Sequence, residues 1–361
     1  MSTDLLTKTS APKETAFPAS LSGKIWRLKE TTERQVETIR QKQAVPGAVA
    51  HLLAARQISP EEAGPYLQPT LRHFLPDPLH LKDMDTAIAR TITAITQQQS
   101  IAVFGDYDVD GATSASMLIR YFRALQITLQ PYIPDRLKEG YGPNPAAMET
   151  LRQNGTDLVI TVDCGAVAYT ALEAAQACGL DVIVLDHHLG GEALPPAVAV
   201  VNPNRVDETS PHRHLAAAGV TYLFLIGLTK ALRETGYFDT VPEPNLLALL
   251  DLVALGTVCD VMPLTGLNRA LVAQGVKVMA KRGNLGIAAL METTNLQEPP
   301  SAYHLGFLLG PRVNAGGRVG ASDLGTRLLS TEDPGEARQI AQQLDQLNRE
   351  RQAIEQAVLD E

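Results

Sequence analysis

Short apolar runs at regular intervals along the middle of the chain predict a parallel β-sheet. The first run holds four apolar residues and ends at Gly105, as expected for a strand that is buried on both faces. The predicted strands are Ile101–Phe104, Ile127–Ile133, Asp157–Val162, Asp181–Leu185 and Ala197–Val201. Segments between them, such as Pro145–Gln153 and Ala168–Cys178, have helical patterning. A β-α-β-α series of this kind predicts a doubly wound, mainly parallel five-stranded α/β fold with right-handed crossover connections.

Helical patterning surrounds this region on both sides. Before it, we expect a helical segment with Trp26 and Leu28 as docking anchors, followed by a helix over 83–98. After it the pattern is mainly helical, interrupted at Gly256–Pro263 and at the glycine-rich stretch Gly310–Gly320. The predicted divisions are a disordered tail over 1–20, an N-terminal helical segment over 21–82, an α/β domain over 83–265, a helical extension over 266–330 and a long amphipathic helix over 331–361.

Composition and charge narrow the functional classes. The 361-residue chain carries a net charge of −9, which argues against a broadly basic surface for nonspecific nucleic-acid binding but leaves a local basic groove open. Its three cysteines form no C-x-x-C pair, which favours a reduced cytoplasmic setting and disfavours a cysteine zinc site. Residues 1–20 lack the apolar core of a signal peptide, and charged residues break the most apolar stretches. We therefore expect no membrane association.

Acidic and imidazole groups recur at the predicted strand ends. They are Asp106, Asp108 and Asp110 after the first strand, Asp163 after the third and Asp186-His187-His188 after the fourth, with Asp260 in a later apolar segment. Each alone is explained by a cap or a solvated turn, but the carboxyl ends of parallel strands lie side by side, so these groups should converge. Carboxylate and imidazole ligands together favour Mn²⁺ or Mg²⁺, and their number suits two ions that share one carboxylate.

Two further groups of residues suit phosphate or base recognition. Arg312, Asn314 and Arg318 lie in the glycine-rich stretch, which we expect to be a phosphate-binding loop over 310–320. Arg136 and Tyr141 are candidates for backbone contact and base stacking. From composition alone, two simpler interpretations are equally good: the glycine-rich stretch could be a solvated loop, and the segment with Arg136 and Tyr141 could be a surface turn.

The motifs in order resemble those of a known superfamily. Gly105–Gly111, Val162–Gly165, Asp186–His188 and Gly256–Asp260 are similar to the four ordered motifs of the DHH phosphoesterases. Within that superfamily, three other segments resemble the RecJ family of single-strand-specific 5′→3′ DNA exonucleases; they are Gly310–Arg318, Ile133–Gly142 and Trp26–Leu28. The resemblance covers residues 24–361.

This resemblance implies a two-metal phosphodiesterase site that contains Mn²⁺ or Mg²⁺. Asp108 and Asp163 would hold one ion, and Asp110, Asp163, His187 and Asp260 the other. His188 would face the scissile phosphate, Asp106 would support the site or complete the first ion's ligands, and Asp186 would orient its neighbours. Water activated by the ions would be the nucleophile, and 5′-mononucleotides would be released.

The resemblance also implies what the chain lacks. RecJ-like proteins continue into a DHHA1 domain and an OB-fold, and 331–361 resembles a truncated connector to that half, so we expect weak strand affinity. Single-stranded DNA is the expected partner of a monomer, with a single-strand-binding protein or a helicase as candidate protein partners. Two alternatives stay open: a DHH phosphodiesterase of cyclic dinucleotides or short oligonucleotides, and an inactive DHH scaffold.

Overall fold

A five-stranded sheet organises the larger part of the molecule. In the computed structural model its strands are β1 (Ile101–Gly105), β2 (Gln130–Tyr132), β3 (Leu158–Val162), β4 (Asp181–Leu185) and β5 (Ala199–Val201). The strand order is β2-β1-β3-β4-β5, and every neighbouring pair is parallel. The predicted α/β fold with a parallel five-stranded sheet is therefore confirmed.

Both faces of the sheet are covered by helices, because side chains alternate between two apolar layers. Val103 and Ile160 lie in one layer, whereas Phe104 and Val159 lie in the other. The first layer contains α5 (Met84–Thr96), α6 (Val109–Ala124) and α10 (Ala217–Glu234), and the second contains α8 (Pro145–Gln153) and α9 (Tyr169–Ala177). The strand order reverses between β1 and β3, so the crevice at their carboxyl ends is the expected ligand position.

The structure describes residues 21–25 and 29–360, except for the side chain of Leu137. The predictions for the tail over 1–20 and for Trp26 and Leu28 lie outside these residues. Contacts divide the chain into two units, Met1–Gln68 and Pro69–Glu361. The first contains α1 (Glu33–Gln43), α2 (Gly47–Ala55) and α3 (Ala63–Leu67) around a small apolar core. Residues 69–82, which we grouped with the N-terminal segment, belong to the second unit and include α4 (Leu71–Phe74).

Residues 250–360 of the second unit are mostly helical. The helices are α11 (Leu250–Cys259), α12 (Gly266–Met279), α13 (Leu285–Thr293), α14 (Ala302–His304), α15 (Gly310–Val319), α16 (Leu324–Ser330) and α17 (Pro334–Asp360), and a π-helical turn, Leu305–Leu309, joins α14 to α15. The short helix α7 (Arg136–Glu139) lies earlier, between β2 and α8.

The first expected interruption is shorter than predicted, since residues 260–265 separate α11 from α12, and the second is a helix. Gly256–Cys259 forms the last turn of α11, and Gly310–Val319 forms α15 instead of the phosphate-binding loop that we expected over 310–320. The glycines serve close packing in these helices. A Cβ on Gly317 would overlap the ring of Tyr107, and one on Gly310 would overlap Cys259.

The connection from β4 to β5 also differs from the expectation of a helix between the strands. Residues 186–198, which the structure describes throughout, contain no helix. Gly190, Gly191, Pro195 and Pro196 disfavour helix formation in this connection. No helix among the described residues is both long and apolar enough to cross a lipid bilayer.

Candidate metal centre

The turn between β1 and α6 presents the first three carboxylates. Asp108 is the N-cap of α6, and its Oδ1 accepts a hydrogen bond from the Gly111 backbone N–H at 3.0 Å. Asp106 is buried beside the end of β1, and Asp110 is buried in the first turn of α6. The alternate spacing thus places all three carboxylates at the carboxyl end of β1.

Asp110 also caps a second helix. Its two carboxylate oxygens accept hydrogen bonds from the backbone N–H groups of Ala217 and Ala218, at 2.6 and 2.9 Å, in the first turn of α10. The N-cap residue of α10, Ala216, makes no side-chain cap, so Asp110 satisfies N–H groups that would otherwise be unpaired. These contacts fix the carboxylate in the crevice.

Asp163, His187 and Asp260 meet Asp110 from three other elements. The Nε2 atom of His187 lies 3.2 Å from Asp163 Oδ1, 3.4 Å from Asp260 Oδ2 and 3.7 Å from Asp110 Oδ2. Asp163 follows β3 with a left-handed backbone, at φ 60°, and Asp260 is the C-cap of α11. Asn and Asp tolerate this conformation better than most residues, and strained backbone concentrates at functional sites.

Asp186 positions His188 at the edge of the crevice. Asp186 Oδ1 accepts a hydrogen bond from Nδ1 of His188 at 2.7 Å, while Oδ2 accepts one from the Ala166 backbone N–H at 2.9 Å. Burial would raise the pKa of Asp186, but the bonds from His188 and the backbone outweigh it and the pKa is lowered. The same hydrogen bond raises the pKa of His188 to about 9, and its ring is half exposed.

The electrostatics of the crevice call for a cation. Burial, followed by repulsion from neighbouring carboxylates, raises the pKa of Asp110 and Asp163 well above the usual range and that of Asp106 to about 6. Burial and the Asp108 charge raise the pKa of Asp260 to about 6 as well. Burial, followed by the charge of His188, lowers the pKa of His187, which favours the neutral imidazole that binds metals.

Orphaned atoms mark where the cation would bind. Asp163 Oδ1, His187 Nε2 and Asp260 Oδ2 are buried, and each has no hydrogen-bond partner among the described residues. Buried polar atoms are normally satisfied, and these three atoms are oxygen and imidazole donors of the kind that Mn²⁺ and Mg²⁺ bind. The residues present therefore fit a divalent metal site.

The donor atoms fall into overlapping groups. Asp106, Asp108 and Asp163 form one group, and Asp110, His187 and Asp260 form another, with the donor atoms of each group within 4.8 Å of one another. A third group joins Asp163 to both histidines. Asp163 thus lies between two possible ion positions. The structure brings together every carboxylate and histidine that we predicted for the site.

Some residues that hold the site were not among the predicted site residues. The Asn204 side-chain amide donates to the His187 carbonyl at 2.6 Å, and that of Asn202 donates to the His188 carbonyl at 2.8 Å. The Leu215 backbone carbonyl hydrogen-bonds the His187 ring, which leaves Nε2 free for a metal. In the sequence, only the two Asn residues that follow β5 could have indicated these contacts. The Leu215 contact is made by a backbone carbonyl, which every residue has.

Arg136 and Tyr141 lie beside the centre. The Tyr141 hydroxyl donates to the Asp163 carbonyl at 3.2 Å, and its ring centroid is 6.1 Å from that of His188. The Arg136 guanidinium lies 5.3 Å from the ring centroid of Tyr107 and hydrogen-bonds its hydroxyl. Tyr141 thus contacts the Asp163 backbone directly, whereas Arg136 contacts the acidic turn through Tyr107.

The three candidates on α15 have different surroundings. Arg312 is half-buried and pairs with Asp345 of α17, Nε to Oδ1, at 2.9 Å. Asn314 Oδ1 accepts a hydrogen bond from the Val109 backbone N–H at 3.1 Å, in the acidic turn. Arg318 is exposed and makes no ion pair within the described part of the chain. Arg318 is thus the candidate with the guanidinium most available to a ligand.

Comparisons with known proteins agree with this geometry. Residues 100–257 match the model of the DHH family, N-terminal domain. A crystal structure of exonuclease RecJ bound to manganese is 36% identical, with a TM-score of 0.70 over 78% of this chain and 70% of the other. This chain belongs to the RecJ family. A second structure, of RecJ from Thermus thermophilus in complex with Mn²⁺, is 32% identical with a TM-score of 0.76, and covers 92% of this chain and 46% of the other.

Curated RecJ relatives are longer than this chain. The single-stranded-DNA-specific exonuclease RecJ of Salmonella typhimurium is 41% identical over 284 residues, which are 77% of this chain and 49% of that protein. The chain therefore spans about half the length of this relative, and the match includes the region that builds the centre.

Proposed function

We propose that this chain is the catalytic part of a single-strand-specific 5′→3′ DNA exonuclease that hydrolyses phosphodiesters and releases 5′-mononucleotides. The observation that carries the proposal is the cluster of buried, unpartnered ligand atoms on Asp163, His187 and Asp260 at the carboxyl edge of the sheet. Membership of the RecJ family supplies the substrate class, since the Salmonella relative is named a single-stranded-DNA-specific exonuclease.

Two divalent ions, Mn²⁺ or Mg²⁺, would occupy the centre. Asp106, Asp108 and Asp163 would hold one ion, and Asp110, His187 and Asp260 would hold the other, with Asp163 shared. When bound, such ions polarise the phosphate and lower the pKa of water. The three orphaned atoms lie together, with Asp163 Oδ1 and Asp260 Oδ2 3.2 and 3.4 Å from His187 Nε2, and would serve as donors to the second ion.

The other residues bind and orient the substrate. Because Nδ1 of His188 is bound to Asp186, its Nε2 is free to donate a hydrogen bond to the scissile phosphate. Tyr141 stacks on a terminal base, and Arg136 and Arg318 bind backbone phosphates. Asn314 holds the acidic turn through Val109, and Arg312 binds α17.

The test is hydrolysis of one single-stranded oligonucleotide, labelled at either the 3′ or the 5′ end, with Mn²⁺. A blunt duplex and a dinucleotide are run beside it. Asp163→Asn removes a ligand with little change of volume, and Asp157→Asn is the matched control because Asp157 precedes the same strand at its opposite end. We expect progressive shortening of the single strand from its 5′ end, loss of at least ~100-fold in Asp163→Asn, and near-normal rates in the control.

Other outcomes would count against the proposal. Cleavage of the dinucleotide alone would favour a phosphodiesterase of small substrates. Equal rates in Asp163→Asn and the parent chain would show that the activity lies elsewhere. Absence of Mn²⁺ binding by calorimetry would rule out the metal-dependent mechanism.

We also propose a cytoplasmic monomer that works with a single-strand-binding protein or a helicase. The three cysteines are free thiols, as in proteins of reducing compartments. A helicase would supply single strands, and a single-strand-binding protein would hold them extended for a 5′ exonuclease. Sedimentation of the purified chain, alone and with each partner, tests these assignments.

A further inference from the structure

Two aromatic rings are exposed together on the helical segment that precedes α15. Tyr303 is 66% exposed and Phe307 is 73% exposed. Their ring centroids are 5.2 Å apart and their planes differ by 28°, which is a stacked arrangement. Aromatic side chains of this size usually contribute to a core, so a stacked pair in contact with solvent presents a flat apolar surface to a ligand.

The opposite side of this segment packs against the helix that carries a metal ligand. Cys259 Sγ lies 3.3 Å from the Leu305 carbonyl, and a Cβ on Gly306 would lie 3.4 Å from Cγ1 of Val258. Val258 and Cys259 form the last turn of α11, directly before Asp260. The backbone that bears Tyr303 and Phe307 is therefore in contact with the side chains of the two residues that precede Asp260.

The same helical segment continues past the acidic turn. Along α15, Asn314 accepts the hydrogen bond from Val109, Gly317 packs against the Tyr107 ring, and Arg318 is exposed in the last turn. Along this one segment, the aromatic pair Tyr303 and Phe307 precedes the residues that contact the acidic turn, and the exposed guanidinium of Arg318 follows them. The π-helical turn that contains Phe307 is a rare conformation that recurs at functional sites.

We propose that Tyr303 and Phe307 form a base-stacking platform that binds the bases of single-stranded DNA beside the metal centre, on the Asp260 side. Every base has a π-face, so such a platform binds strands without sequence preference. Val261, one residue past Asp260, is 85% exposed, so another apolar side chain is open to solvent next to this ligand. That the ligand is single-stranded DNA rests on the proposed function. That a flat binding surface exists is inferred from the exposure and stacking of the two rings.

The first measurement is binding of a fluorescein-labelled oligo(dT) to the full chain, followed by anisotropy with Ca²⁺ in place of Mn²⁺. We expect Phe307→Ala and Tyr303→Ala each to weaken binding about ten-fold, because loss of one base–aromatic stack has an effect of this order. Phe307→Trp should keep the affinity. The matched control is Leu247→Ala, which removes an exposed apolar side chain before the opposite end of α11.

The second measurement locates the stacked base. A single abasic site is moved along the oligonucleotide, and its effect on KM is compared in the parent chain and in Phe307→Ala. A stacking platform predicts one or two positions at which the abasic site raises KM in the parent chain but has no further effect in Phe307→Ala. Hydrolysis of the p-nitrophenyl ester of thymidine 5′-monophosphate should differ less than about two-fold between them, because this ester reaches only the metal centre.

Distinct outcomes would overturn the platform or the proposed function. Unchanged oligo(dT) affinity in both alanine variants, or equal sensitivity to abasic sites in the parent chain and Phe307→Ala, would overturn the platform. Self-association of the parent chain that Phe307→Ala abolishes in sedimentation would assign the rings to a protein contact instead. If the parent chain hydrolyses neither DNA nor the ester, the proposed function fails, while the anisotropy series still tests the platform.

Discussion

At the scale of single residues, Gly256 determines how closely two ligand-bearing helices approach. A Cβ at this position would lie 2.5 Å from Thr113 Oγ1 and 2.7 Å from Asp110 Oδ1, closer than van der Waals contact allows. Asp110 cannot move away freely, because its oxygens accept hydrogen bonds from Ala217 and Ala218. The metal centre therefore requires a residue without a side chain at position 256 of α11.

We expect Gly256→Ala to weaken Mn²⁺ binding by roughly 10- to 100-fold, the usual effect of displacing a group that orients a metal ligand. Calorimetric titration with Mn²⁺ measures the loss, and circular dichroism checks that the chain still folds. Gly47→Ala is the control, since a Cβ there meets no atom within 4 Å. Wild-type affinity in Gly256→Ala would show that the ligands tolerate the displacement.

The carboxylates and histidines of the centre could be predicted because they follow parallel strands or lie in strongly apolar surroundings. Asp106, Asp163 and Asp186 follow three strands that are neighbours in the sheet, so topology alone brings them together. The groups that orient the ligands could not be predicted in the same way. The α10 backbone N–H groups and the Leu215 carbonyl belong to the main chain and depend on tertiary packing.

At the scale of elements, α15 shows why a glycine-rich stretch can be helical. Glycine disfavours helices by about 1 kcal/mol relative to alanine, which made a loop the natural prediction for 310–320. In the structure Gly310 and Gly317 lie against Cys259 and Tyr107, where a Cβ would overlap. Tertiary packing therefore overrides the intrinsic preference, and only the three-dimensional neighbours of these residues reveal it.

An ion pair fixes α17 to α15. Asp345 of α17 is buried and receives the Arg312 Nε–H at 2.9 Å, while the Arg312 Nη1 group donates to the Leu308 carbonyl at 2.6 Å. We expect Asp345→Ala to lower the free energy of unfolding by about 2 to 3 kcal/mol, because it leaves a half-buried guanidinium unpaired. Urea denaturation measures the loss, with the exposed Gln343→Ala of the same helix as control.

Hydrogen exchange gives this prediction a second readout. Loss of the ion pair should speed exchange in α17 more than in β1 and β3, because the central strands are held by both apolar layers. Uniform acceleration over all elements would mean that the pair stabilises the whole unit and does not specifically hold α17.

At the scale of the whole molecule, the larger unit encloses several carboxylates at one edge of its sheet. Apolar layers on both faces of the sheet produce the continuous apolar runs from which the strands were predicted. The same layers exclude water from Asp110 and Asp163, whose raised pKa values show that the ionised forms are disfavoured without a counter-charge. Folding thus brings carboxylates that repel one another into the centre, and a divalent cation would offset this repulsion.

Metal binding should therefore stabilise the folded chain. A ligand that binds only the folded state at about 100 times its Kd adds roughly 2.7 kcal/mol, which corresponds to a rise in Tm of about 5 °C for a domain of this size. We expect saturating Mn²⁺ to raise the Tm by this amount over chain treated with EDTA in differential scanning calorimetry. Asp163→Asn should lose most of the shift, because the Asp163 carboxylate belongs to two of the three groups of donor atoms. In EDTA this variant should melt no lower than the parent chain, since the substitution removes a buried negative charge. An equal shift in both proteins would mean that the ions act at another site, and no shift in the parent chain would mean that the carboxylates are neutralised by protons alone.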